Sequence, residues 1–221
     1  MMMDEEILTI EEVAKYLRVS ERTVYDWAQK GEIPAGKIGT AWRFKKTDIV
    51  GWVNDRLSSS SGQKDRNEAA HVKNILSPNR IVFIKADTKQ AALTELAASL
   101  ATAPEVKRAD ELLSEILKRE ELMSTAVGRG IALPHVRLSS VTDLVAAVGI
   151  ARTPILDFET IDNEPVRLLL MIAAAYSQHS YYLRTISYFS AKLKDAALRS
   201  SLLQAASPLD VYELLIKDGA L

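Results

Sequence analysis

The chain has 221 residues, with 28 Lys and Arg balancing 29 Asp and Glu and no cysteine. That is enough material for one large or two modest globular domains, and it excludes a disulfide-stapled miniprotein, a disordered polyelectrolyte, a thiolate zinc site and a thiol nucleophile. Three scattered histidines are too few for a His-rich metal centre, so neither metal nor cofactor is expected. The longest apolar run, Leu168 to Ala175, is far short of the ~20 residues of a membrane helix. The acidic start Met-Met-Met-Asp-Glu-Glu is unlike a signal peptide, so a cytoplasmic protein with no membrane partner is expected.

All three tryptophans, Trp27, Trp42 and Trp52, lie in the first quarter of the chain, which implies two separate cores. The order expected is a small domain over residues 1–57, a flexible linker over 58–73 beginning Ser58-Ser59-Ser60-Ser61-Gly62, and a larger domain over 74–221. Residues 58–68 have no apolar residue to bury and so cannot offset their ordering entropy, while residues 69–76 could extend a helix.

In the first domain Thr9 and Glu12 are spaced as a capping box, and Ile10, Val13, Ala14 and Leu17 follow at helical period. Arg18-Val19 makes a tight connection to a second helix that starts at Ser20, buries Val24, Trp27 and Ala28, and stops at Gly31. Two short helices so joined form a helix-turn-helix. Residues 33–38 and 41–45 around a Gly39-Thr40 turn then read as a β-hairpin, a wing, with Trp42 and Phe44 on one face and Arg43 and Lys45 on the other. Thr47 is expected to cap a third helix carrying Ile49, Val50, Trp52, Val53 and Leu57.

Charge is unevenly spread. Residues 4–17 hold five acids and one base, whereas residues 18–46 hold seven bases and three acids, a local +4. Since phosphate neutralisation dominates non-specific DNA affinity, the local surface matters more than the sum over the chain. The strings Leu8-Thr9-Ile10-Glu11-Glu12-Val13-Ala14, Val19-Ser20-Glu21-Arg22-Thr23-Val24-Tyr25, Gly31-Glu32-Ile33-Pro34 and Trp42-Arg43-Phe44 resemble the excisionase-type, MerR-related winged helix-turn-helix domains. That resemblance implies DNA as partner, with Arg22, Thr23 and Tyr25 on the groove and Lys37 and Arg43 on phosphate or the minor groove. Symmetric operators imply a homodimer.

The second domain alternates strands and helices. Strands are expected at Ile81–Ile84, Val145–Ile150 and Val166–Ile172, and helices over 88–100, 107–121, 183–193, 197–205 and 209–217. This pattern reads as an α/β sandwich with a mixed sheet. Its chemistry gathers in Arg119-Glu120-Glu121-Leu122-Met123-Ser124-Thr125-Ala126-Val127-Gly128-Arg129-Gly130-Ile131-Ala132-Leu133-Pro134-His135. Glycines free backbone N–H groups for an anion, arginine pairs with phosphate, and a neutral imidazole is a nucleophile near pH 7. A lone histidine is more often structural and a lone Gly-x-Gly is only a turn, but the whole string describes a phosphohistidine site.

The string resembles the enzyme IIA domains of the phosphotransferase system, in the fructose–mannitol class that includes the nitrogen-regulatory (PtsN-like) homologue. The resemblance implies that His135 accepts phosphate from an HPr-type phosphocarrier, with Arg119, Ser124 and Thr125 around the phosphoryl group. One departure stands out: where the family has a second histidine, this sequence places Tyr182, with His179 three residues earlier. Tyrosine donates a hydrogen bond but is not a cation at neutral pH. Three readings follow: a DNA-binding regulator that senses phosphorylation of His135, a phosphocarrier that passes phosphate onward, and a non-phosphorylated interaction module.

Overall fold

The computed structural model describes residues 6–57 and 72–217. The chain divides into two compact units, Met1–Lys64 and Asp65–Leu221. Of the stretch read as a linker, residues 58–71 lie outside the described residues; Val72, also assigned to it, is fully buried in the core of the second unit.

In the first unit, α1 (Ile10–Leu17) starts at the expected capping box: the Glu12 amide donates to Thr9 Oγ1 and the Thr9 amide to Glu12 Oε2, at 3.3 and 2.8 Å. It ends at Arg18, whose left-handed backbone (φ 55°) turns its N–H back to Ala14 and Lys15. Helix α2 (Glu21–Lys30) is capped by Ser20 and terminated by Gly31 at φ 71°, the αL stop for which glycine has no Cβ penalty. The wing is a hairpin of β2 (Gly36–Ile38) and β3 (Ala41–Lys45), with Ile38 opposite Ala41. Its first strand is shorter than expected: the chain bends at Ile33 and is irregular through Pro34 and Ala35 before it. A strand the sequence reading lacks, β1 (Ile7–Leu8), pairs with the other edge of β3 and sets Leu8 opposite Phe44.

Helix α3 (Lys46–Leu57) follows β3 directly, which places Thr47 inside the first turn and not at the cap. The Lys46 amide donates instead to the Glu6 carbonyl at 3.0 Å. Val13, Val24, Phe44 and Ile49 form the buried centre, each side chain worth about 1.5–3 kcal/mol of transfer free energy. Trp27 and Trp52 meet at 5.3 Å, and Trp52 Nε1 donates to the Glu32 carbonyl at 2.7 Å.

The second unit is the expected α/β sandwich. Its mixed sheet has the order β4-β8-β9-β6-β5, with β7 also on β9. The strands are β4 (Ile81–Ile84), β5 (Ala126–Gly128), β6 (Ile131–Ala132), β7 (His135–Arg137), β8 (Val145–Ile155) and β9 (Val166–Ala174). β9 runs antiparallel to β8 and parallel to β6 and β7. Helices α4 (Lys89–Leu100) and α5 (Ala109–Leu122) contribute to the core on one face. Helices α6 (His179–Lys192), α7 (Ala196–Gln204) and α8 (Pro208–Ile216) contribute to the core on the other. Along β9, Leu169, Met171 and Ala173 enter the first cluster while Leu168, Leu170, Ile172 and Ala174 enter the second, the two-residue period of a strand covered on both faces.

Two differences bear on function. The part of the glycine-rich string after α5, assigned no strand from sequence, holds β5, β6 and the start of β7. Helix α6 begins at His179, not Leu183, so Tyr182 stands in the first turn of a helix instead of closing a loop. Among the described residues no helix is long and apolar enough to cross a membrane, and no group of three His, Asp or Glu is placed to hold a metal.

Candidate phosphohistidine site and candidate nucleic-acid surface

His135 opens β7 and pairs across to Ile172 at the C-terminal half of β9. The residues before it are tied down on both sides: the Leu133 amide donates to Thr125 O at 3.0 Å and the Ile172 amide to Pro134 O at 2.9 Å. With Leu133 so fixed, its carbonyl accepts the His135 Nδ1–H at 2.6 Å. That bond sets the tautomer. The proton resides on Nδ1, and the Nε2 lone pair is left for an electrophile.

A cleft of about 330 Å³ opens beside the ring, lined among others by Lys118, Arg119, Arg137, Tyr176 and Tyr182. Burial pushes the His135 pKa below the ordinary histidine value, opposed by the Leu133 carbonyl, reinforced by the Arg119 guanidinium and opposed again by the Glu120 carboxylate. The imidazole is therefore neutral at neutral pH. The ring of Tyr182 meets it edge-on, and burial raises the Tyr182 phenol above its ordinary value, against the pull of Arg137 and Arg119. A neutral hydroxyl thus occupies the place read as that of a second histidine. The His179 side chain lies outside the described residues.

Arg119 extends from the last turn of α5 and its Nη1 donates to the Met123 carbonyl at 2.9 Å, which caps the helix and fixes the guanidinium. Arg137, absent from the sequence reading, joins it in the cleft. Its guanidinium carbon lies 5.6 Å from the Tyr182 ring centre and 6.0 Å from that of Tyr176. The signal was present: residues i and i+2 of a strand share a face, and His135-Val136-Arg137 is a strand. Lys118 adds a third cation, held 2.6 Å from Glu115.

Ser124 and Thr125 are not brought into that cleft. Glu120, 4% exposed, receives both the amide and the hydroxyl of Thr125 on Oε2, at 2.9 and 2.6 Å. Ser124 Oγ accepts the Ala126 amide at 3.3 Å. These hydroxyls brace the α5–β5 junction beneath the histidine. Nor do the two glycines open a cradle at His135. Gly128 and Gly130, at φ 82° and 69°, flank Arg129 in the β5–β6 turn, and the Arg129 amide donates to Asp162 Oδ2 at 2.5 Å. The anion they serve is the chain's own carboxylate.

In the first unit, Arg22 and Tyr25 are exposed on α2 and Thr23 is half-buried, its hydroxyl 2.7 Å from that of Ser20. The wing separates its two cations. Lys37 lies opposite Trp42 with its ammonium 4.9 Å from the indole centre. Arg43 lies one residue on, opposite Gly36, so it takes the other face of the hairpin. There its Nη1 donates to the Trp42 carbonyl at 2.9 Å, and its charge helps lower the Glu12 pKa, after the two larger contributions of Thr9. Lys46 is paired with Glu6 at 2.6 Å.

Residues 74–218 match the family described as phosphoenolpyruvate-dependent sugar phosphotransferase system, EIIA 2, and residues 7–57 match a helix-turn-helix domain. The chain is 37% identical over 108 residues to the nitrogen regulatory protein of Klebsiella oxytoca, a segment that is 48% of this chain and 65% of that relative. The crystal structure of the nitrogen regulatory protein IIA-Ntr from Neisseria meningitidis superposes with a TM-score of 0.61 at 25% identity, covering 65% of this chain and 98% of that one. IIA mannitol from Escherichia coli, solved in complex with phosphorylated IIB mannitol, superposes with a TM-score of 0.54 at 26% identity over 63% of this chain and 96% of that one.

Proposed function

Since the chain belongs to the phosphoenolpyruvate-dependent sugar phosphotransferase system EIIA 2 family, with a helix-turn-helix domain ahead of that region, we propose that it is a DNA-binding regulator whose His135 accepts a phosphoryl group from an HPr-type phosphocarrier. The observation that carries the reading is the Nδ1–H bond to the Leu133 carbonyl, which leaves Nε2 as nucleophile beside Arg119 and Arg137. In the transfer, the bond between phosphorus and the carrier's ring nitrogen breaks as the bond from His135 Nε2 to phosphorus forms. The carrier imidazole, protonated on its other nitrogen, leaves neutral. The His135 ring takes up the positive charge, Leu133 O accepts its Nδ1–H more strongly, and the phosphoryl oxygens lie toward the two guanidiniums. No separate base is required.

On the DNA side, Arg22, Thr23 and Tyr25 face the major groove and Lys37 the backbone, with two copies on a palindromic site. Phosphorylation adds close to two negative charges, which alters docking of the modified surface. The test is incubation of the chain with phosphoenolpyruvate, enzyme I and a carrier, read by intact mass and followed by DNA titration. A gain of one phosphate that alters DNA affinity supports the regulator; a phosphate gain with no DNA binding at low salt contradicts it.

A second reading is favoured by Tyr182, which gives the phosphoryl group a neutral neighbour in place of a cation: a protein-interaction module that retains the fold without the reaction. A third, onward relay to another protein, draws on the complex of IIA mannitol with phosphorylated IIB mannitol.

A further inference from the structure

A second cleft, of about 370 Å³, lies at the other end of β9, lined by Arg129, Glu164, Arg167, Leu168, Arg199 and Ser200 among others. Arg167 precedes Ile172, the strand partner of His135, by five residues, roughly 16 Å at the rise of a strand. The two clefts are therefore distinct.

Three arginines and one glutamate line the second cleft, the charge of Arg129 is also felt by the Asp162 carboxylate, and the placement of the other two guanidiniums is built in. Arg199 Nη1 donates to the Leu193 and Lys194 carbonyls, both at 2.8 Å, at the end of α6. Arg167 Nη2 donates to the Arg152 carbonyl at 3.2 Å. Each is held through part of its fork and keeps other N–H groups for a further acceptor. Arg129 is the unusual member. With Gly130 it forms the two-residue turn of the β5–β6 hairpin, both at positive φ, where Asn or Gly is the low-cost choice. An arginine there strains the backbone, and Asp162 holds it by accepting its amide. A residue that breaks the local rule and delivers its charge to a cleft with two anchored guanidiniums points to a bound anion.

We propose that this cleft binds the phosphate monoester of a small hydroxylated metabolite. Arginine forks match phosphate oxygens in pairs, the Glu164 carboxylate and Ser200 hydroxyl are suited to a ligand's hydroxyl groups, and Leu168 and Leu203 supply an apolar wall. Two of the three cations are fixed before the ligand arrives, so little ordering entropy is lost on binding. The assignment is independent of phosphoryl acceptance at His135.

The test is an amide NMR titration of the full chain with ribose 5-phosphate, inorganic phosphate and ribose. Ribose 5-phosphate is expected to bind saturably and shift Gly130 and Ser200, inorganic phosphate more weakly, and ribose not at all. Arg129→Gln, which tolerates the turn no worse than arginine, is expected to weaken binding about tenfold, the loss of one charge-assisted contact, with melting unchanged. Glu164→Ala is expected to narrow the preference for ribose 5-phosphate over inorganic phosphate, and His135→Ala to leave binding intact. Absence of saturation, binding indifferent to Arg129→Gln, or shifts centred on His135 and Arg137 would each overturn the assignment.

Discussion

The imidazole of His135 and the phenol ring of Tyr182 meet edge to face, their centres 5.7 Å apart and their planes at 62°. The tyrosine thus packs the nucleophile without charging it. Replacing it by Tyr182→His restores a group that can carry a proton beside the phosphoryl oxygens. Phosphoryl acceptance is expected to accelerate by about tenfold, equivalent to ~1.4 kcal/mol of transition-state stabilisation, in single-turnover mass measurements. Tyr182→Phe is expected to leave the rate nearly unchanged; a large loss in that variant would assign the hydroxyl a direct part.

The depressed His135 pKa has a definite sign in stability. Burial lowers the folded value beneath the ordinary 6.5, so between the two the unfolded chain binds more protons. Stability is full above the unfolded pKa and falls as pH drops through it toward the folded value. His135→Gln removes this dependence. Melting followed from about pH 8 to about pH 5.5 is therefore expected to decline more steeply in the parent chain than in the variant, and the His135 ring proton to titrate below the normal histidine range. Equal slopes would contradict the desolvated ring.

Thr125 is expected to matter for folding before chemistry. Thr125→Val removes a hydroxyl given to the buried Glu120 carboxylate, a loss of about 1.5–3 kcal/mol for a hydrogen bond to a charged group. Denaturant titration should show the loss. A variant of parental stability that fails to accept phosphate would instead place Thr125 at the phosphoryl group.

On the wing, Lys37 and Arg43 point to opposite faces, so they are expected to separate experimentally. Arg22→Ala and Lys37→Ala each weaken DNA binding and reduce the slope of log affinity against log salt by about 0.9. Arg43→Ala, which loses its bond to the Trp42 carbonyl, lowers the melting temperature with a smaller change in slope. Sedimentation with operator DNA checks the stoichiometry, two chains per palindrome; one chain per site would contradict the dimer.

What could be read from sequence was whatever has a local cause. The capping box at Thr9 and Glu12, the Gly31 stop and the glycine turn of the wing are decided within a few residues, and the long apolar strands announce their burial. What escaped depends on partners distant in sequence. β1 has only two residues and exists because the edge of β3 is available. β5 to β7 are too short to show a period, so their glycines suggested an anion cradle, whereas the anion is Asp162, over thirty residues away. Arg137 entered the site only once His135 was known to lie on a strand, and Glu120 stands at the i+4 step after Leu112 and Ile116, the buried row of α5, a sign that its charge masked.

His135 Nε2 is the proposed acceptor, with the ring pinned through Nδ1. Nitrogen-15 NMR of the histidine rings, after the chain has been treated with phosphoenolpyruvate, enzyme I and carrier, tests this most directly. The expected result is phosphorus coupled to Nε2 of His135 with the Nδ1 proton retained, and no phosphate in His135→Ala. A chain that gains phosphate on Nδ1 or on another residue, or gains none with any carrier, would contradict it.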